Sequence, residues 1–192
     1  MKKYALNLFV ILTAFSLTSC GYNSMVSKEE TITGKWAQVE NQYQRRADLI
    51  PNLVNTVKGY AEFEKGTLTQ VMEARAKATQ VRIDPGDLSP ENIQKFQAAQ
   101  DQLGSSLGRL LAVAEAYPNL KANEGFQDLR VQLEGTENRI AVARQDFNSS
   151  VQDYNTYVRS FPNNLFAGMF GFKQKGYFQA QPGSEKVPEV KF

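Results

Sequence analysis

The sequence predicts an all-α fold: an antiparallel up-and-down four-helix bundle with long first and last helices and an aromatic C-terminal extension. Three observations predict it. Apolar residues recur at alternating three- and four-residue steps beyond residue 25, the spacing that gathers them on one face of a helix. Prolines and turn-rich stretches fall between these stripes, with Pro51 as the exception. The 192 residues, 42% hydrophobic and 22% charged, fit one globular domain and are too few for two full-sized ones.

Residues 1–19 read as a secretory signal. Lys2 and Lys3 form a positive start, Ala5 to Phe15 is mostly apolar, and small residues lead to Cys20. The apolar stretch is shorter than the ~20 residues a spanning helix needs. Leu17-Thr18-Ser19-Cys20 resembles the lipobox of bacterial lipoproteins, in which the cysteine carries acyl lipid of the palmitate type and cleavage falls just before it. The resemblance implies lipid attachment at Cys20. Each buried acyl CH₂ contributes about 0.8 kcal/mol, so two or three chains suffice to anchor a protein. The alternative is an uncleaved signal-anchor helix. Gly21, not aspartate, follows the cysteine, which by analogy with Gram-negative sorting permits transfer to the outer membrane. Residues 20–30 are expected to form a tether that overlaps the start of the bundle, 25–161.

The first helix is expected over 25–60. Ile32, Trp36, Val39, Tyr43, Ile50, Leu53, Val57 and Tyr60 form its stripe, and Pro51 should kink it. Leu68, Val71, Met72 and Ala76 form a second stripe, over 63–82. One helix over both would be ~85 Å long against a last helix of ~58 Å, so a break is expected between Gly59 and Gly66. Arg82 to Leu88 is turn-rich. Ser89-Pro90-Glu91 then starts a helix over 90–117, with serine as N-cap, proline at N1 and an acid in the first turn. Its stripe is Ile93, Phe96, Gln100, Leu103, Leu107, Leu110, Ala114 and Tyr117, and Gly104 and Gly108 lie one turn apart along it. The last helix, 123–161, has Asn123 as N-cap and a seam of Phe126, Leu129, Leu133, Thr136, Ile140, Ala143, Phe147, Ser150, Tyr154, Tyr157 and Phe161. Pro162 ends it. Residues 162–192 are expected to cap the bundle.

Charge and composition narrow the function classes. There are 22 Lys and Arg against 20 Asp and Glu, a net charge of +2. Removing residues 1–19 takes Lys2 and Lys3 and no acid, leaving 20 basic against 20 acidic side chains and zero net charge. Such a chain lacks the bulk basicity of a nucleic-acid binder. It contains no histidine, the commonest general base and metal ligand, and one cysteine. No metal, cofactor or catalytic residue is expected. Glu62 with Glu64 and Glu134 with Glu137 are the nearest approach to paired carboxylates, and residues two apart do not share a helix face.

Two polar groups stand out as candidate interaction or structural sites. Arg45, Arg46 and Asp48 lie just ahead of Pro51 and Asn52. Proline frees the carbonyl four residues earlier, that of Ala47, which then needs a partner; Asn52, Asn55 or a nearby arginine is a candidate. The site reads either as a polar binding site at the kink or as a capped kink with its arginines snorkelling or ion-paired. Arg144, Asn148 and Asn155 lie beside the seam of the last helix, with the asparagines one heptad apart. They read either as inter-helix hydrogen bonds that fix register or as a ligand-reading polar face. The aromatic stretch Leu165 to Phe178, with Lys173 and Lys175 in it, is either the folded-back cap or a membrane-interface or partner contact.

Several runs resemble one family. Trp36-x-x-Val39, Arg45-Arg46-x-Asp48-Leu-Ile-Pro51-Asn52-Leu53-Val54 and Val57-Lys58-Gly59-Tyr60-Ala61 resemble the N-terminal half of the LemA family. Glu137-Asn138-Arg139-Ile140, Ala143-Arg144-x-Asp146-Phe147-Asn148, Tyr154-Asn155, Phe161-Pro162, Tyr177-Phe178 and Pro188-x-Val190-x-Phe192 resemble its C-terminal half. The resemblance covers essentially all of the chain after the signal. It implies an antiparallel four-helix bundle on a membrane anchor with no established biochemical activity, and a magnetosome-forming relative links the family to membrane organisation. Here a lipobox stands where many members look anchored by an N-terminal helix.

The functional expectation is a non-enzymatic, lipid-anchored bundle on the extracytoplasmic side of a bacterial membrane, held there through Cys20. It would act as an envelope scaffold or bind an envelope protein partner. The alternative is a carrier of lipid or another small apolar ligand between the helices, which needs an internal cavity; Gly104 and Gly108 would reflect such a cavity or else allow close helix approach.

Overall fold

The computed structural model describes residues 2–59 and 65–180, with side chains described from residue 21 onward. The expected features at Tyr60 to Glu64 and at Pro188 to Phe192, together with the Cys20 side chain, lie outside the described residues. Among the described residues the fold is all-helical. Its six helices are α1 (Lys2–Lys58), α2 (Lys65–Gln80), α3 (Pro90–Ala114), α4 (Pro118–Lys121), α5 (Glu124–Arg159) and α6 (Asn163–Phe170). The short helix α4 is an addition to the four bundle helices expected, and α6 falls at the start of the aromatic stretch after Pro162, where one short helix and a loop are read from the sequence. Among the described residues, no helix is long and apolar enough to cross a membrane.

α1 lies along α5, and α2 lies along α3. The long pair is antiparallel, because Lys35 meets Asp146 at 2.8 Å while Arg46, further along α1, meets the earlier Glu137 at 2.9 Å. The stripe predicted for α1 is buried at every described position. It begins earlier than expected. Residues 21–30, expected as a tether, belong to α1, because Met25 is fully buried as a further member of the stripe.

Two caps form as read. The Asn123 Oδ1 accepts a hydrogen bond from the Phe126 backbone N–H at 2.9 Å, satisfying one of the donors that a helix start leaves open. Ser89 occupies the N-cap of α3 ahead of Pro90, without a side-chain cap bond. The link between α2 and α3 is turned by Asp84, which accepts from the backbone N–H of Gly86 through its side chain and of Asp87 through its carbonyl.

Two stripes needed correction. In α2 the inner face is Leu68, Val71, Ala74 and Ala78, and Met72 and Ala76 are exposed. In α5 the seam shifts by one residue near its end. Val151 and Val158 are buried where Ser150 and Tyr157 were expected, and Phe161 is exposed. A straight helix has 3.6 residues per turn, so a strict seven-residue pattern drifts by about 20° per heptad; two successive four-residue steps, Ala143 to Phe147 to Val151, absorb the drift.

The core has two parts. One cluster joins Trp36, Tyr43, Phe96, Phe147 and Tyr154 with Phe178 from beyond the last helix. The other joins the end of α1 with α2, α3 and the start of α5, through Leu53, Val71, Leu107 and Phe126 among others. Arg46, Gln100 and Thr136 are buried at sequence positions between the two sets.

Candidate functional site

The Arg45 to Asn52 run does not converge on one site. Arg46 alone turns inward; Arg45, Asp48 and Asn52 are exposed. The Arg46 guanidinium donates from Nη1 to Glu137 at 2.9 Å and from Nη2 to both the carbonyl and the Oε1 of Gln100, at 3.1 and 2.7 Å. It also packs 4.9 Å from the Tyr43 ring centroid. Gln100 passes the chain of bonds on by donating to the Ala78 carbonyl. One side chain thus links α1, α3 and α5 in a polar layer, the kind of arrangement that sets register. Gly104 faces this guanidinium, 3.8 Å from where a Cβ would stand, while Gly108 meets nothing within 4 Å. The two glycines therefore do not mark an internal cavity: one faces Arg46 at a distance where a Cβ would make ordinary contact, and the other is exposed.

The proline problem is solved from the neighbouring helix. The Ala47 carbonyl, freed by Pro51, accepts a 2.7 Å hydrogen bond from the Nε of Arg75 in α2. Of the expected partners it is an arginine that serves, but Arg75 of α2 rather than one of the pair just ahead of Pro51. Asp48 is held instead within its own helix, by Gln44 at 2.8 Å.

Asn148 and Asn155 act neither on another helix nor on an open face. After Gly171, whose φ of 78° ends α6 in the left-handed region, the chain turns back as an extended strap, 172–180, along α5. Asn155 donates to the Lys175 carbonyl and accepts from the Lys175 N–H, both at 2.9 Å. Asn148 does the same with Phe178, again at 2.9 Å each way. Gln97 of α3 makes a third such pair with Gln179, at 2.9 and 3.0 Å. The spacing follows from geometry. Seven helical residues rise about 10.5 Å, and three extended residues span about 10 Å. A heptad of helix therefore matches the step from Lys175 to Phe178.

Other groups complete the strap. The Tyr154 hydroxyl donates to the Lys173 carbonyl at 3.0 Å, and Arg144 donates to the Gln179 carbonyl at 2.8 Å while stacking on Phe178. Gly176 donates to the Leu88 carbonyl, and a Cβ there would stand 2.6 Å from the Cα of Pro90. The buried Lys175 reaches Glu29 of α1 at 2.7 Å. Phe178 sits among Trp36, Phe96 and Phe147. Tyr154 has its hydroxyl pushed up to about 12, first by burial and then by the Glu29 charge. Burial also raises Tyr43, against the opposing charges of Arg144 and Arg46. Gln97 and Gly176 escaped the sequence reading, and Lys175 stood out there only as one of two lysines in the aromatic stretch. Their signals, a glutamine on a helix and a glycine and lysines among aromatics, are ordinary ones.

The open grooves range from mixed to mostly apolar in their lining. One of about 250 Å³ is lined by Glu40, Gln44, Thr79, Arg82 and Gln100 among others. In it the Glu40 carboxyl is raised by burial, an effect that the Trp36 indole and the Arg82 charge oppose. Among the described residues no group of three or more acids or cysteines is placed to hold a metal.

Fold and site together define a class: an all-helical protein whose extended C-terminal strap is clamped by side-chain amides. The chain belongs to the LemA family, whose model matches residues 35–192. It is 28% identical over 181 residues to "Magnetosome protein MamQ 2" of Paramagnetospirillum magneticum, across 85% of this chain and 66% of the relative. With "Magnetosome protein MamQ" of Magnetospirillum gryphiswaldense the identity is 26% over the same coverage. It is 24% identical to "Protein LemA" of Metamycoplasma hominis, across 94% of this chain and 80% of that protein. The chain spans just under two thirds of the length of the magnetosome relatives.

Proposed function

We propose that this LemA-family chain is a non-enzymatic, lipid-anchored helical-bundle protein on the extracytoplasmic side of a bacterial membrane, acting as a scaffold or partner-binding module of the cell envelope. α1, α2, α3 and α5 make up the antiparallel up-and-down four-helix bundle in this reading, and Cys20 carries the lipid. One observation carries the non-enzymatic part. Arg46, Arg144, Asn148 and Asn155, where the polarity concentrates, spend their hydrogen bonds on the chain's own Glu137, Gln100 and strap. A site built to act on a substrate would keep such groups turned toward a cleft. The lipobox sequence supports the anchor, and relatives named as magnetosome proteins fit a role in organising a membrane.

Proximity labelling in living cells tests it, with the labelling enzyme fused to the intact chain and to Cys20→Ala. The reading expects a small set of envelope proteins labelled by the parent and lost in the variant. Labelling indistinguishable between the two overturns it.

A further inference from the structure

We propose that α6 and the turn before it form a membrane-contact surface that seats the bundle end-on against the bilayer. This rests on the anchored reading above. Four large apolar side chains crowd this end of the molecule in solvent: Phe161 is 81% exposed, Leu165 61%, Met169 75% and Phe170 50%. Leu165 and Met169 are four residues apart within α6, the step that stacks side chains on one side of a helix, and Phe161 stands in the turn just before it. The opposite side of α6 is docked, with Ala167 buried in the core and Phe166 packed against it. The helix is therefore firmly placed with its apolar side outward. Exposed apolar groups in a cluster mark a contact surface, whereas single ones do not.

The position of the N-terminal segment identifies the occupant. A Cβ at Gly21 would stand 3.5 Å from the Asn163 side chain at the start of α6. Tyr22 packs edge-on against Phe170 and Phe172, with ring centroids 5.2 and 5.6 Å apart. Cys20 is the next residue back along the chain, so an acyl lipid there would enter the bilayer beside this same apolar surface. Charge along the adjoining sequence is mixed: Lys28, Lys173 and Arg159 stand with Glu30 and Asp153. The contact is thus apolar rather than electrostatic, and a zwitterionic bilayer suffices. Aromatic and aliphatic side chains beside a lipid anchor would hold the bundle upright and fix which surface faces away from the membrane.

Tryptophan quenching tests it. The full chain has one tryptophan, Trp36, buried in the core. Met169→Trp and Phe161→Trp each add one at the tip, and Val131→Trp adds one at an exposed site near the start of α5. Each protein is purified from membranes with Cys20 intact, checked for helix content by circular dichroism, and reconstituted on phosphatidylcholine vesicles with brominated acyl chains. The expected result is a blue shift and loss of fluorescence in both tip variants, with the Val131→Trp and parent signals unchanged. Vesicle-bound tip variants quenched no more than Val131→Trp overturn the proposal and leave the lipid anchor standing. A chain that fails to float with the vesicles overturns both.

Discussion

Asn155 of α5 and Lys175 of the strap hold each other by two hydrogen bonds of 2.9 Å, the amide of one satisfying both backbone groups of the other. The pair is buried, so water cannot replace the lost partner when the side chain is cut back. Asn155→Ala should cost about 2–4 kcal/mol in urea unfolding, from two orphaned backbone groups at roughly 1–3 kcal/mol each less a small gain in helix propensity. Asn148→Ala, in a half-buried setting, should cost about 1–2 kcal/mol. The double variant should lose less than the sum, since a strap detached at one clamp has less to lose at the other.

Pro51 and Arg75 both act on the carbonyl of Ala47. Proline removes the N–H that would bond the Ala47 carbonyl, and Arg75 supplies the replacement at 2.7 Å. Arg75→Ala should therefore cost about 1–2 kcal/mol in the parent chain. In a Pro51→Ala background the restored backbone N–H competes for the same carbonyl, and the same change should cost about 0.5 kcal/mol or less. Equal costs in the two backgrounds, measured as a double-mutant cycle, would show that the arginine is not a substitute for the missing helix bond.

Two glycines should respond in opposite ways. Gly176→Ala places a Cβ 2.6 Å from the backbone of Pro90, so the strap must move away from α3. A loss of about 2–3 kcal/mol is expected, with faster proteolysis beyond residue 170. Gly108→Ala meets open space in the middle of α3 and should stabilise by about 0.5–1 kcal/mol. Matching thermal shifts for the two variants would contradict the close approach of the strap.

Tyr154 gives the chain an alkaline sensitivity. Its hydroxyl, ordinarily near 10, is pushed up to about 12. Between those two pH values the folded state holds a proton that the unfolded chain releases, so stability is present below about pH 10 and falls as pH rises toward 12. Stability against urea should drop more steeply over that window in the parent than in Tyr154→Phe, and ultraviolet titration of the folded protein should show one late tyrosine missing from the variant.

The helices were legible because their signal is local. Three- and four-residue spacing, Asn123 as a cap, and prolines at 90, 118 and 162 as boundaries all act within a turn or two of the chain. The inner face of α2 was less legible, because its small alanines compete with Met72, and hydrophobicity alone chooses the larger side chain. The drift of the α5 seam is a matter of 3.6 against 3.5 residues per turn, which becomes visible only over several turns.

The sequence by itself determined that the protein is helical, that its formal charge balances once residues 1–19 are set aside, that it lacks histidine, and that its polar residues gather in two groups. Tertiary structure alone decided what those groups do. Asn148 and Asn155 carry the heptad spacing of an inter-helix pair, and nothing within α5 distinguishes that role from clamping a strap. The difference lies some twenty to thirty residues further on, at Lys175 and Phe178. Likewise the three- and four-residue steps from Tyr43 to Ile50 put Arg46 rather than Arg45 on the inner face of α1, and only the positions of Gln100 and Glu137 on other helices decide what it pairs with. A hydrogen bond depends on where two groups meet in space, and local periodicity fixes the direction of a side chain without fixing what lies opposite it.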